Sequence, residues 1–292
     1  MNITCHSDIG KIKSIFIKSA EQAFISEAQM AKYWKDLNYS GKPNLDVALS
    51  EYASFQRALQ MDGAEIFHLP EDANVNMDSI YCRDASIATD KGMIICNMGK
   101  PARMNEPLAE KKAFEAHKIP ILGTIIAPGT LEGGDAAWID EHTLAVGHSY
   151  RTNEEGIRQL ATMLRPLRIA VVTVPLPHYK GPEDVFHLMS ILSPVDRDLA
   201  VVYSPLMPIE FRNFLLQRGY SLVEVPDEEF ESMGCNVLAT APRECLMVEG
   251  NPKTKTRLEQ AGCNVTVYAG NEISIKGGGG PTCLTRPIYR YK

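Results

Sequence analysis

Leu131–Ser149 reads LEGGDAAWIDEHTLAVGHS, Asn153–Leu164 reads NEEGIRQLATML, and Ile169–Leu176 reads IAVVTVPL. The first piece predicts two short strands around a polar turn. The second has the helical spacing of apolar residues, and the third is a β-branched strand. The unit is therefore strand, strand, helix, strand.

Working outward, the same order recurs at intervals of roughly fifty residues. Upstream, SIATDKGMIICN turns at Asp90-Lys91-Gly92; a helix over Glu106–His117 and the strand ILGTII follow. Downstream come ILSPVDRDLAVVYS, PIEFRNFLLQRG and SLVEVP, then VLATAPRECLMVEG, TKTRLEQAGC and NVTVYAG. At the N-terminus, KSIFIKS, a helix over Leu45–Met61 and AEIFHLP make an incomplete unit, which the C-terminal TRPIYRY would complete. A fifth unit assembled from both chain ends implies a closed ring, which would remove the exposed edges of an open sheet. The expectation is an α/β five-bladed propeller of repeated ββαβ units, with residues 1–292 as a single catalytic domain. A doubly wound parallel sheet is the alternative. Against it, the hairpins imply antiparallel pairs and no GxGxxG loop follows an early strand.

A distinctive segment precedes each hairpin: DSIYCRD, LEGGDAAW, EDVFHLMS, SMGCNVLA and GGPTCLTR. In a ring, equivalent positions fall at one end around the axis. Asp84, Glu132, His187 and Cys283 can therefore meet although they are far apart in the chain.

Composition narrows the function. The 292 residues are 45% hydrophobic and 23% charged, with a formal net charge of −6. An acidic chain lacks the clustered Lys and Arg that nucleic acid or an anionic membrane would attract. Neither a membrane-length apolar run nor a basic-then-apolar leader is present, so a soluble cytoplasmic protein is expected. The seven cysteines include no CxxC pair, which points to neither a disulfide framework nor a zinc site. Several lie in apolar runs such as MIIC and ECLMV, whereas Cys283 follows the glycines Gly277–Gly280.

Together these segments, with GKPNLDVALSEYASFQRALQ and GHSYRTNEEG, resemble the pentein superfamily of guanidine-modifying enzymes. The dimethylarginine dimethylaminohydrolases and related small arginine-type hydrolases are the nearest branch. The resemblance implies a five-bladed α/β propeller and a hydrolase cleaving a C–N bond of a guanidino group. It implies Cys283 as nucleophile, since a thiolate is the stronger attacking group once a cation lowers its pKa. His187 would shuttle protons, and Glu132 would orient the guanidinium. Asp78 and Asp84, read as lying on one face of a strand, would bind substrate nitrogens. Asp135 reads equally as a turn residue. Arg103 in MGKPARMNE and Arg151 in SYRTN are candidates for a substrate carboxylate, and residues Trp34–Pro43 for a lid.

Two positions depart from the pattern. Dimethylarginine hydrolases typically carry a second acidic residue where this chain has Arg83. Arginine deiminases and amidinotransferases place an aspartate where this chain has Met189. No cofactor or metal is expected. The expected partner is a small guanidino or ureido amino acid, and a homo-oligomer is compatible. Dimethylarginine or arginine giving citrulline is the leading reaction. Hydrolysis of citrulline or another ureido or guanidino acid to ornithine, amidino transfer, and non-catalytic binding of arginine-like ligands are the alternatives.

Overall fold

The computed structural model describes residues 4–61 and 63–291; residues 1–3, 62 and 292, part of the span expected as one domain, lie outside it. Five three-stranded sheets form five blades. In four of them, an antiparallel hairpin is followed by a helix that returns the chain to a third, parallel strand. The Leu131–Leu176 unit is representative. Ala136–Asp140 pairs antiparallel with Thr143–His148, the helix Glu154–Leu164 follows, and Ala170–Pro175 pairs parallel with the second strand.

That helix forms where the sequence placed it. The Asn153 side chain caps it by accepting from Gly156 N, and Glu154 and Glu155 lie in its first turn, where the helix dipole favours negative charge. Ile157, Leu160 and Leu164 recur at helical spacing and are buried against the sheet.

The fifth blade unites the chain ends. Thr285–Tyr291 pairs antiparallel with Lys11–Ile17, which pairs parallel with Glu65–His68. The helix Leu45–Met61 lies in the connection between the last two. The first strand of each blade is buried along most of its length; Leu192–Asp196 touches both Ala136–Asp140 and Leu238–Ala241, and Thr285–Tyr291 touches Ser86–Thr89. The third strands are the most exposed.

One expectation needs correction. The ring does not come from sheet closure. The blades remain five separate sheets with their own edges, held together by packing and by single bonds such as the Asn97–Leu131 bridge. Side-chain burial between blades supplies the cohesion: one apolar cluster joins Ala137 and Ile139 to Leu192, Val201 and Val237 across three blades. No helix among the described residues is long and apolar enough to cross a membrane.

Candidate active site

The short segments before the hairpins gather at one end of the ring. Asp84, Asn236 and Cys283 each stand two residues before the first strand of their blade. Glu132 and His187 each stand at the N-terminal cap of a single 3-10 turn. These side chains surround or underlie a cavity of about 240 Å³. Asp78, Asp84, Lys100, Arg103, Arg151, His187, Met189, Asn236 and Cys283 all line it.

Asp78 and Asp84 do not sit on a strand. Met77–Ile80 is a 3-10 turn, and the chain turns again before Ser86, so their convergence comes from the two turns rather than from a pleat. Arg83, between these turns, points the other way and bonds Asp8 at 2.8 Å. It is not among the cavity's lining residues. Its side chain is turned away from the cavity.

Glu132 is completely buried and accepts from two directions. His187 Nε2 lies 2.8 Å from its Oε2, and Lys100 N donates to its Oε1 at 2.9 Å. Burial alone would raise the Glu132 carboxyl, but the His187 bond and charge hold it well below the usual range. Burial works against a charged His187 as well. The carboxylates of Asp135, Asp84 and Glu132 overcome it and hold the imidazole at about 9. The pair is thus an imidazolium with a carboxylate at neutral pH. Asp135 braces the arrangement by accepting from Leu188 N at 3.0 Å and Ser149 Oγ at 2.6 Å. Close packing here requires glycine: a Cβ at Gly134 would lie 2.5 Å from His187 Nδ1 and 2.6 Å from Asp84 Oδ1.

Cys283 is the one cysteine of seven that is not fully enclosed. Burial and the Asp84 charge push its thiol up, while bonds from Asn236 and Thr282 oppose them. The Arg83 charge also lowers it, but burial and Asp84 outweigh these and the thiol stays above its ordinary value. Asn236 Nδ2 lies 3.3 Å from Cys283 Sγ, and its Oδ1 accepts from Thr282 N at 3.0 Å and Thr282 Oγ1 at 2.9 Å. Because Thr282 N can only donate, its bond fixes which end of the amide faces the sulfur.

Among the binding candidates, Arg103 is saturated within the protein. It forks onto Glu106 through Nε and Nη2, reaches Asp84 Oδ2 at 2.6 Å, and donates to Tyr81 O at 2.9 Å. Arg151 differs, because its buried Nη1 has no hydrogen-bond partner. Asp84 Oδ1 is likewise buried without a partner. Lys100 Nζ bonds Asp78 Oδ2 at 2.7 Å and Leu37 O at 3.0 Å. Leu37, Asn38 and Ser40, within the expected lid, line the cavity. Asn38 Nδ2 donates to Glu183 O, and Ser40 N to Lys276 O.

Asn236 and Lys100 were not singled out from the sequence. Asn236 could have been, because SMGCNVLA occupies the same place in its repeat as the segments of Asp84 and Cys283. Lys100 carries no such signal. One donor atom from each of Asp84, Glu132 and His187 lies within 4.8 Å of the others, close enough to share an ion. Such an ion would have to break the direct His187–Glu132 bond, so the arrangement suits a proton relay better.

A solvent-reached cysteine beside a buried histidine–glutamate pair, on a ring of five ββαβ blades, defines the pentein hydrolases that act on C–N bonds of amidines. The chain belongs to the N,N-dimethylarginine dimethylhydrolase family: the family described as N,N dimethylarginine dimethylhydrolase, eukaryotic, matches residues 20–290. It is 27% identical over 249 residues to the N(G),N(G)-dimethylarginine dimethylaminohydrolase of Pseudomonas aeruginosa, covering 85% of this chain and 91% of that protein. It is 26% identical to the arginine deiminase of Listeria welshimeri over 72% of this chain, spanning 61% of that protein's length. The fold matches the product-bound N-terminal domain of the cyanobacterial arginine dihydrolase ArgZ with a TM-score of 0.81 at 16% identity, covering 96% of this chain and 98% of that one.

Proposed function

We propose that this chain hydrolyses a C–N bond of the guanidino group of an arginine-type amino acid, dimethylarginine or arginine giving citrulline, through a covalent intermediate on Cys283. We further infer that it does so as one catalytic domain in the cytoplasm. One observation carries the reading. The cavity beside Cys283 presents two buried polar atoms without a hydrogen bond: Asp84 Oδ1, which has the opposite charge of His187 Nδ1 at 3.9 Å, and Arg151 Nη1, which has that of Glu132 Oε1 at 3.9 Å. A buried polar atom left unpaired is costly, so each awaits a complementary group. A guanidinium supplies the donor and an α-carboxylate supplies the acceptor.

The chemistry follows from the charges. A guanidinium seated between Asp84 and Cys283 screens the Asp84 charge from the sulfur and favours the thiolate. The Cys283 sulfur attacks the guanidino carbon. His187, protonated at neutral pH, gives its proton to the departing amine as the C–N bond breaks, leaving a thiouronium adduct. Neutral His187 then takes a proton from water, which attacks the same carbon. The C–S bond breaks, and a ureido product and the thiolate are released. Glu132 stabilises the imidazolium each time it forms. Arg103 positions Asp84 rather than touching substrate, and Arg151 takes the α-carboxylate.

Lys100 favours a second reading. A cationic guanidinium must compete with its ammonium for Asp78, whereas a neutral ureido group does not, so citrulline giving ornithine is the alternative substrate. Mass spectrometry of products from arginine, dimethylarginine and citrulline separates the two. Citrulline accumulating from the first two supports the main reading, and ornithine formed from citrulline supports the second. Binding without any product would overturn both.

A further inference from the structure

On the far side of the Cys283 segment, the innermost strand of the fifth blade carries Arg286 and Arg290, both inside the ring. With Arg83 they place three guanidinium groups in the interior, at exposures of 3% for Arg83, 4% for Arg286 and 1% for Arg290. Counter-charge is short. Asp8 is committed: its Oδ1 takes Arg83 Nη2 at 2.8 Å and its Oδ2 takes Trp138 N at 2.7 Å. Glu110 is the other carboxyl acting on Arg286, but burial pushes it up to about 8, so at neutral pH it is mostly protonated.

The guanidinium groups are correspondingly underbonded. Arg290 Nη1 donates to Gly10 O at 2.6 Å and Ala239 O at 2.7 Å, while its Nε and Nη2 have no partner. Arg83 Nε has none. Arg286 is the extreme case, because no hydrogen bond or ion pair engages its guanidinium among the described residues, and its Nε is fully enclosed. Arg286 lines a cavity of about 10 Å³ together with Ser7, Asp8, Arg83 and Trp138. That is about one water-sized sphere, so a monatomic occupant fits only if the surrounding side chains give by a few tenths of an ångström.

We propose that this axial cavity is a binding site for a single small monovalent anion of halide size, held by the Arg286 guanidinium with Arg83 beside it. A water molecule would satisfy the N–H groups but not the excess positive charge, and a buried charge without a counter-charge is strongly unfavourable. Burial and mutual repulsion already bring Arg286 down to about 10 and Arg290 to about 9, the direction that a bound anion reverses. The space excludes sulfate and phosphate. Asp8 also lines the cavity as a carboxylate, but its charge is matched by Arg83 at 2.8 Å, which leaves Arg286 as the uncompensated group.

The test uses the full chain in sodium chloride, sodium bromide and sodium gluconate at equal ionic strength. Chloride and bromide should raise the melting temperature saturably over gluconate, by roughly 3 °C or more at tenfold the dissociation constant. Crystals grown in bromide should show an anomalous peak within hydrogen-bond reach of Arg286. In Arg286→Gln the halide-specific rise should disappear; if that variant does not fold, the two wild-type measurements decide. Equal melting temperatures in halide and gluconate, a water in place of the bromide peak, or an undiminished halide effect in a folded Arg286→Gln would each overturn the proposal.

Discussion

Asn236 holds the sulfur of Cys283 from an adjacent blade: Nδ2 lies 3.3 Å from Sγ while Thr282 occupies the amide oxygen. A flipped amide would set its NH2 against the Thr282 N–H, donor against donor, and lose that bond. Its N–H therefore always faces the sulfur, where it favours the thiolate over the thiol.

Replacing Asn236 with alanine should thus raise the pH at which Cys283 becomes reactive. A hydrogen bond to a charged group is worth about 1.5–3 kcal/mol. The expected loss in kcat is roughly tenfold to a hundredfold. The pH profile of alkylation by iodoacetamide checks this, and an unshifted profile would show that Asn236 merely packs.

His187 makes the alkaline limb. Its folded pKa of about 9 lies above the ordinary 6.5, so the contact with Glu132 stabilises the fold fully below 6.5, and that contribution is lost as pH rises through 9. Glu132 has the opposite sign: its contribution is present above about 4.5 and is lost on acidification through its depressed pKa. The melting temperature of the wild type should therefore fall between pH 6.5 and 9.5. In His187→Gln that fall should be shallower. Parallel curves would deny the charged pair.

Gly134→Ala should leave the blades folded and disable the site. The new methyl would meet His187 Nδ1 and Asp84 Oδ1 at about half an ångström or more inside normal contact. Circular dichroism should stay native while kcat falls at least about a hundredfold, the scale of a 1 Å misplacement of catalytic groups.

Arg151→Met should raise KM for substrates bearing an α-carboxylate by roughly tenfold or more, with little change in kcat, because the carboxylate is held equally before and during reaction. Agmatine, which lacks that carboxylate, should be unaffected. A comparable loss on agmatine would move Arg151 into the chemistry.

The five blades were legible because each is local in sequence: hairpin, helix and strand follow one another, and apolar period marks each piece. Strand Thr285–Tyr291 completing the N-terminal blade was legible for the same reason, as the missing member of a repeat. The way the ring is held was not, because hydrophobic pattern cannot distinguish strands paired across blades from strands packed across them. Cys283, His187, Glu132 and Asp84 could be placed at one end by repeat position alone. The pairing of Arg103 with Glu106, and of Lys100 with Asp78, could not. Long cationic side chains choose among several carboxylates within reach, and burial and geometry decide between them.

The central claim is a covalent bond between Cys283 and the guanidino carbon. Its most direct measurement is the intact mass of enzyme quenched in acid during turnover of arginine or dimethylarginine, followed by peptide mapping. The account predicts an amidine adduct on the Cys283 peptide that forms and decays with turnover, and that is absent in Cys283→Ser, which should bind substrate without converting it. Turnover by Cys283→Ser, or a Cys283 that stays unmodified in actively turning-over enzyme when the quench outpaces the reaction, would contradict it.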